Sequence, residues 1–134
     1  MMNKEEHIKY WLDSSEEDWI SANEICQKNE RKHFALFIAH LSLEKFLKAL
    51  YIKKLGDVPP YKHDLYLLAS KSGMKLTDEN IEELKLVNEY NLQARYPEYK
   101  DNFYKKCTFD FVSTELNRIN KLRQWTLDTI NNTQ

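Results

Sequence analysis

The sequence contains little of the two residues that most often interrupt helices. Glycine occurs twice and proline three times among 134 residues. Folds built from strands and tight turns generally use more of both, and no segment alternates apolar and polar residues as a half-buried strand does. Leucine, lysine, glutamate and alanine are plentiful and favour helix. The composition therefore argues against a turn-rich β fold and predicts an all-α protein.

Cysteine is equally scarce. Cys26 and Cys107 lie far apart in the chain and form no CxxC or Cys/His spacing of the kind that binds zinc. We expect two reduced, partly buried thiols. The sequence predicts no metal site and no cofactor.

Long apolar runs and an excess of one charge are also missing. No apolar run approaches the ~20 residues that span a bilayer, and the N-terminal segment MMNKEEHIKYW lacks the apolar core of a signal peptide. We therefore expect a cytoplasmic protein without a membrane partner. The 20 basic and 21 acidic residues give a net charge of −1, which argues against a basic nucleic-acid footprint over the whole surface but permits a local one.

The chain has the length of one domain, residues 1–134. Apolar residues at three- and four-residue steps predict a first helix from Asn3 or Glu5 to Gln27. Its inward stripe comprises Ile8, Trp11, Leu12, Ser15, Trp19, Ala22 and Ile25.

A second helix is predicted from Asn29 or Glu30 to Leu55, where Gly56 supplies a stop. Apolar residues surround this helix almost completely. A helix that is apolar on all sides is packed on several sides, so this one should lie at the centre of the fold.

Three further helices are predicted over residues 63–71, over 78–91 after the N-cap Thr77, and from about 108 to 130. Pro97 disfavours a helical backbone at Tyr96, so the chain should bend or break there. Helices joined by short loops pack as an antiparallel, up-and-down bundle. The predicted fold is such a bundle, with about five helices.

Charged residues interrupt the apolar second helix. His40, Glu44 and Lys48 recur every four residues and so lie along one face. Charges within a packed helix cost several kcal/mol each, in order of magnitude, unless they are paired. Asp18 of the first helix is a plausible partner for Lys45 or Lys48. Two interpretations stay open, a structural polar network and a ligand-binding one.

Four segments, in this order and spacing, resemble the HEPN domain, a nucleotide-binding domain of higher eukaryotes and prokaryotes. They are Tyr10-Trp11 followed by Glu16-Glu17-Asp18, then HLSLEKFLKAL, then Lys62-His63-Asp64-Leu65, then Ala94-Arg95-Tyr96-Pro97. The resemblance covers nearly the whole chain and implies a helical bundle that is usually a homodimer. It also implies a minimal nucleotidyltransferase as partner in a toxin–antitoxin pair, and many family members are metal-independent ribonucleases.

The family's ribonuclease activity depends on an Arg followed four to six residues later by a His. The Arg orients the phosphate and the His acts in acid–base chemistry. Here the corresponding positions after Arg95 are Tyr99, Lys100 and Asp101, and every histidine precedes Arg95. The usual mechanism is therefore not expected. Arg95 and His63 remain the catalytic candidates.

The histidines allow two interpretations each. His63 either caps or packs a short helix, or it is a site residue that meets Arg95 and the face formed by Glu44 and Lys48. His40 is expected to hydrogen-bond to Glu44, and that bond alone would explain its position.

Tyrosines and lysines cluster around Arg95 in what the sequence predicts to be a loop. They are Tyr90, Tyr96, Tyr99, Tyr104, Lys100, Lys105 and Lys106. A basic, tyrosine-rich loop can stack bases and hold phosphate. The same residues can equally pack over the end of a bundle.

Three functions compete. The first is a non-enzymatic or weakly enzymatic module that binds a nucleotide, phosphate or RNA ligand and a nucleotidyltransferase partner. The second is a ribonuclease toxin in which His63 or His40 replaces the missing His, and the third is a purely structural interaction domain. The predicted ligand-binding residues are Asp18, His40, Glu44, Lys45, Lys48, His63, Arg95 and Tyr96.

Overall fold

The computed structural model describes residues 3–28 and 30–134, which form six helices and no strand. The helices are α1 (Lys4–Gln27), α2 (Lys32–Leu55), α3 (Leu65–Lys71), α4 (Asp78–Arg95), α5 (Pro97–Lys106) and α6 (Phe109–Asn131). The predicted all-α class is confirmed, with four long helices and two short ones instead of about five.

The long helices run up and down. Trp11 of α1 lies against Lys48 of α2, and Ser15 lies against Ser42, so α1 and α2 are antiparallel. Side-chain contacts of α4 with α2 and with α6 have the same antiparallel order. Helix α2 contacts each of the other five helices, which places it at the centre, as its all-round apolar sequence predicts.

Helix α1 begins and ends within a residue of its predicted bounds. The side chain of Asn3 accepts a hydrogen bond of 2.9 Å from the Glu6 N–H and so satisfies one of the unpaired donors of the first turn. Along the predicted stripe, Ser15 and Ala22 are buried, and the aromatic and aliphatic members pack against the core. The periodicity therefore identified the correct face.

Helix α2 begins at Lys32, later than the predicted Glu30, while Asn29 lies outside the described residues. The cause is Arg31, whose backbone is left-handed with φ 56° and ψ 35°, a conformation that a right-handed helix cannot contain. At the other end Gly56 has φ 66°, and its N–H donates to the Ile52 carbonyl. This is the glycine stop that the sequence predicts.

Helix α3 starts at Leu65, two residues after the predicted position. Asp64 has an extended backbone, and its side chain accepts a hydrogen bond from the Leu67 N–H. The cap therefore falls on Asp64, and His63 lies before the helix, outside its first turn.

The loop predicted after Tyr96 is wrong, because Pro97–Lys106 form helix α5. The predicted break at Tyr96 is confirmed by its extended backbone. Pro97 then occupies the first helical position, where its missing N–H costs nothing. Glu98 in the first turn and lysines in the last turn complement the helix dipole.

Helix α6 buries the inward face that the sequence predicts. The alternatives Leu122 and Arg123 are both buried, together with Val112, Leu116, Ile119, Thr126 and Ile130. The two cysteines are free and buried, as expected, and burial raises the pKa of Cys107 to about 12.

Arg123 is the largest side chain buried in this core. Its Nε donates to Ser42 Oγ at 2.7 Å, and its Nη2 donates to Glu16 Oε1 at 2.9 Å. Its guanidinium carbon lies 4.5 Å and 4.6 Å from the ring centroids of Trp19 and Phe46. Burial lowers the pKa of Arg123 and the Glu16 carboxylate opposes that change. The cation thus joins α1, α2 and α6.

We predict that Glu16→Gln lowers the free energy of unfolding by about 1–2 kcal/mol, because the buried guanidinium loses its carboxylate. The half-exposed position of Glu16 keeps the loss below that of a fully buried pair. Urea unfolding measures the change. The control is Glu17→Gln at an exposed position of α1, and equal losses in both variants would contradict the role given to Glu16.

Candidate functional site

A carboxylate buried on α2 organises the polar residues of the central helix. Glu44 is 2% exposed. Its Oε2 lies 3.0 Å from Lys48 Nζ, and its Oε1 lies 2.7 Å from His63 Nδ1. A buried carboxylate is tolerated when it is paired and hydrogen-bonded in this way. We call His40, Glu44, Lys48 and His63 the Glu44 cluster.

His63 is the exposed member of the cluster. Its side chain is 52% exposed, although Nδ1 contacts a buried carboxylate. An ionised carboxylate only accepts hydrogen bonds, so Nδ1 carries the hydrogen. In the neutral ring, Nε2 is then the acceptor. A carboxylate that orients a histidine in this manner prepares its other nitrogen for proton transfer or ligand binding.

His40 lies one helical turn before Glu44 and is completely buried. Its Nε2 is 4.0 Å from Glu44 Oε1, too far for the predicted hydrogen bond. Neither ring nitrogen makes a hydrogen bond of good geometry among the described residues, although the Asn88 side chain and the His63 backbone lie close to the ring. Burial lowers the pKa of His40 to about 4 and outweighs the Glu44 carboxylate, which acts in the opposite direction. His40 is therefore neutral at pH 7.

Asp18 and Lys45 form a separate pair between α1 and α2. Lys45 Nζ lies 2.7 Å from Asp18 Oδ2 and donates to Ser14 Oγ at 2.8 Å. The predicted pairing of Asp18 with Lys45 is thereby confirmed, and Lys48 takes Glu44 as its partner instead. The two lysines of α2 thus have different carboxylate partners, Asp18 of α1 for Lys45 and Glu44 of the same helix for Lys48.

Lys48 connects the Glu44 cluster to a cleft at the protein surface. Its Nζ lies 4.9 Å from the ring centroid of Trp11, a cation–π contact. The cleft has a volume of about 550 Å³. We call it the Trp11 cleft, and its lining comprises Lys4, His7, Tyr10, Trp11, Lys48, Ile52 and residues 56–61.

Arg95 makes its contacts with residues outside the Glu44 cluster. Its Nε donates to the Asn91 carbonyl at 3.2 Å, and its guanidinium carbon lies 5.8 Å from the Phe37 ring and 5.7 Å from the Tyr96 ring. On α2, Phe37 is seven residues from Glu44, roughly 10 Å along the axis. None of these contacts of Arg95 involves His63, although Asn88, which lines the same cleft as Arg95, also neighbours His40.

Arg95 and Tyr96 line a second cleft of about 430 Å³ beside α4. Of the four clustered tyrosines, Tyr90 is buried and donates to Glu115, whereas Tyr96, Tyr99 and Tyr104 are exposed. Burial, followed by the Glu115 bond, raises the pKa of Tyr90. Tyr90 therefore packs in the bundle, and only the other three are available at the surface.

Several residues of the clefts were missed by sequence reasoning. Tyr61, 95% exposed, and His7 line the Trp11 cleft. Asn88 lines the second cleft, and its side chain accepts a bond from the Leu65 N–H. The sequence offered one indication of these residues, because Tyr61 and His7 both lie near the ends of predicted helices. Which of them share a cleft depends on helix packing, so spacing alone did not reveal them.

The described residues contain no group of three or more His, Cys, Asp or Glu side chains placed to hold a metal ion. Within the same residues, every helix is too short or too polar to cross a membrane.

The structure is an up-and-down helical bundle whose central apolar helix carries a buried glutamate. This agrees with the helical bundle that the sequence motifs imply. The family model of the HEPN domain matches residues 8–130, and the chain belongs to the HEPN family. Comparisons with curated proteins and with solved structures find no significant match.

We predict that acidification destabilises the fold through His40. Its pKa is about 4 in the folded chain and about 6.5 when unfolded. The unfolded chain therefore binds the proton first, and stability falls as the pH drops from about 6.5 to 4, by roughly 3 kcal/mol. Urea unfolding at several pH values in this range measures the free energy of unfolding. This free energy should fall less with decreasing pH in His40→Leu than in the original chain.

The matched control is His7→Leu on the partly buried surface of α1, which should keep the pH dependence of the original chain. A fall of equal size in the His40→Leu chain would contradict the assignment. Comparing variants removes the contribution of carboxylates that titrate near pH 4, since both chains retain them.

Proposed function

We propose that this HEPN domain is a binding module for a nucleotide or related phosphate ligand, and that the ligand occupies the Trp11 cleft. The observation that carries the proposal is the position of Lys48. Its ammonium lies on the face of Trp11 while the buried Glu44 carboxylate holds it from behind. A cation fixed at the wall of an aromatic cleft suits a ligand with a planar ring and an anionic group.

The rest of the cleft has complementary chemistry. Tyr10, Trp11 and Tyr61 offer aromatic faces, on which a base can stack with an energy of roughly 1–3 kcal/mol. Lys4 and Lys48 supply positive charge for a phosphate. The volume of about 550 Å³ falls within the range of small-molecule sites.

The remaining predicted ligand residues have different places in this proposal. Glu44 acts through Lys48, because their ion pair fixes the position of the ammonium, and His63 contacts the other oxygen of Glu44. Asp18 and Lys45 are paired with each other at the α1–α2 contact. Arg95 and Tyr96, in the second cleft, form a separate surface that an RNA ligand can contact.

The proposed partners follow from family membership. HEPN proteins of prokaryotes are often paired with a minimal nucleotidyltransferase as toxin and antitoxin, and they are usually homodimers. We extend both properties to this chain. The half-buried apolar residues Phe37, Ile38 and Leu41 on α2 are compatible with a second copy. A nucleotidyltransferase reading frame beside the gene is the observation that tests the pairing.

We predict that ATP or GTP binds the purified protein and that Lys48→Gln weakens binding about tenfold or more, since a charged hydrogen bond contributes roughly 1.5–3 kcal/mol. Tyr61→Ala should also weaken nucleotide binding, because the base loses a ring on which to stack. The core should be undisturbed, since Tyr61 is almost fully exposed. Isothermal titration calorimetry measures both dissociation constants.

Lys9→Gln is the matched control, because it removes the same charge from an exposed position of α1 outside the cleft. It should bind as the original chain does. The absence of heat with ATP, GTP and short RNA would refute the proposal. Equal weakening by Lys9→Gln and Lys48→Gln would show that only net charge matters.

A second candidate function is metal-independent RNA cleavage, which the Glu44–His63 contact of 2.7 Å favours. The His63 Nε2 would take the proton of a ribose 2′-hydroxyl, whose oxygen attacks the adjacent phosphorus. The P–O5′ bond then breaks, leaving a 2′,3′-cyclic phosphate and, after protonation, a 5′-hydroxyl. The carboxylate stabilises the imidazolium that forms.

For this candidate we predict cleavage of single-stranded RNA in EDTA and a loss of at least 100-fold in His63→Gln. Lys9→Gln, at an exposed position of α1 outside both clefts, should retain the activity. An inactive parent chain would eliminate the candidate and leave the binding proposal intact. Cleavage that survives in Arg95→Ala would exclude the second cleft from the reaction.

A further inference from the structure

The N-terminus of α2 lacks the cap that begins the other long helices. Side chains of Asn3, Thr77 and Thr108 cap α1, α4 and α6. At α2 the capping position is Arg31, and no side chain among the described residues bonds to the first turn. That turn also contains no acidic residue. Within the described part of the chain, the first N–H groups of α2 therefore lack the side-chain cap that usually satisfies them at the positive end of the helix dipole.

His33 adds a second anomaly at the same place. It is 2% exposed, and neither of its ring nitrogens has a hydrogen-bond partner within the described part of the chain. Its ring lies 4.5 Å from that of Phe34 and 5.3 Å from that of Tyr104, measured between centroids. Buried polar groups normally have partners, and this unpaired side chain belongs to the lining of a pocket.

The pocket has a volume of about 440 Å³, and its lining comprises Glu30, Arg31, His33, Phe34, Lys100 and Tyr104. We call it the His33 pocket. Two cations, Arg31 and Lys100, face one carboxylate, that of Glu30, among these described residues. Burial, followed by Lys100 and Arg31, lowers the pKa of His33. The imidazole is therefore neutral while no anion is bound.

Arg31 occupies this position at a conformational cost. It has φ 56° and is the one described non-glycine residue with positive φ. Such a backbone disfavours residues with a side chain, whereas glycine adopts it freely. Arg31 nevertheless lines the pocket, and its charge acts on His33. Local strain that places a charge beside a pocket is typical of binding sites.

We propose that the His33 pocket binds a phosphomonoester group, with Arg31, Lys100 and the first N–H groups of α2 as its donors and His33 as the buried contact. A phosphomonoester is a tetrahedral dianion that accepts several hydrogen bonds at once, and helix N-termini with nearby cations bind such groups. A carboxylate offers fewer acceptors to this set of donors.

The site is independent of the function proposed above. His33 lies in the first turn of α2, and Lys48 lies fifteen residues further along, roughly 22 Å. The two lie in different hollows of the surface. A chain with Lys48→Gln should therefore retain phosphate binding at His33. Loss of either activity leaves the other testable.

The experiment follows the ring nitrogens of His33 by NMR in the full-length, ¹⁵N-labelled protein, with the signal assigned by its absence in His33→Gln. Inorganic phosphate and ribose 5-phosphate are titrated, with ribose as the uncharged control. We expect saturable shifts with both anions and none with ribose. Ribose 5-phosphate should bind at least as tightly as inorganic phosphate.

Two variants separate binding from folding. Lys100→Gln should weaken binding at least fivefold, whereas Lys105→Gln, on the same helix but outside the pocket lining, should leave the dissociation constant unchanged. Arg31→Gly should also weaken binding at least fivefold while the Tm stays level or rises, because glycine relieves the positive φ. A purely structural residue would lower the Tm instead.

Three results would overturn the proposal. The first is no movement of the His33 signal up to roughly 20 mM phosphate, where a site of millimolar Kd is nearly filled. The second is equal weakening by Lys100→Gln and Lys105→Gln, which would indicate a general charge effect. The third is binding of inorganic phosphate without ribose 5-phosphate, which would exclude a phosphomonoester as the ligand.

Discussion

The central position of α2 is the constraint on which the rest of the structure depends. Five helices pack against it, so its apolar residues form most of the core. Every polar side chain on α2 must also find a partner within the bundle or reach the surface past a neighbouring helix. The positions of Asp18, Arg123 and His63 follow from that requirement, because each lies where a polar group of α2 needs a partner.

The fold satisfies the polar groups of α2 completely in one region and incompletely in another. Around Ser42 the polar groups are mutually satisfied: Arg123 bonds to Ser42 and Glu16 and lies between two aromatic rings. Along the face of His33, His40 and Glu44 the satisfaction is incomplete, since neither histidine makes a hydrogen bond of good geometry among the described residues. Complete networks stabilise a bundle, whereas incomplete ones at a pocket leave donors and acceptors for a ligand. Of the two histidines, His33 also lines a pocket.

Sequence reasoning succeeded where the signal is local. The stripe of α1, the stop at Gly56 and the cap at Thr77 depend on residues within a turn or two of one another. It failed at α5, because tyrosines and lysines around Arg95 resemble a loop by composition, although Pro97 could start a new helix. It also failed for the His40–Glu44 bond, since four-residue spacing puts two side chains on one face without setting the distance between their polar atoms.

The sequence by itself determined the class of fold, the central position of α2 and the HEPN membership, because periodicity, caps and motif order are properties of the chain. Tertiary structure alone decided which polar residues meet. It joined His63 to Glu44 and Lys48 to Trp11, and it left Arg95 beside Phe37. The physical reason is that contacts between helices depend on their packing and rotation, and a shift of one residue turns a side chain by about 100°.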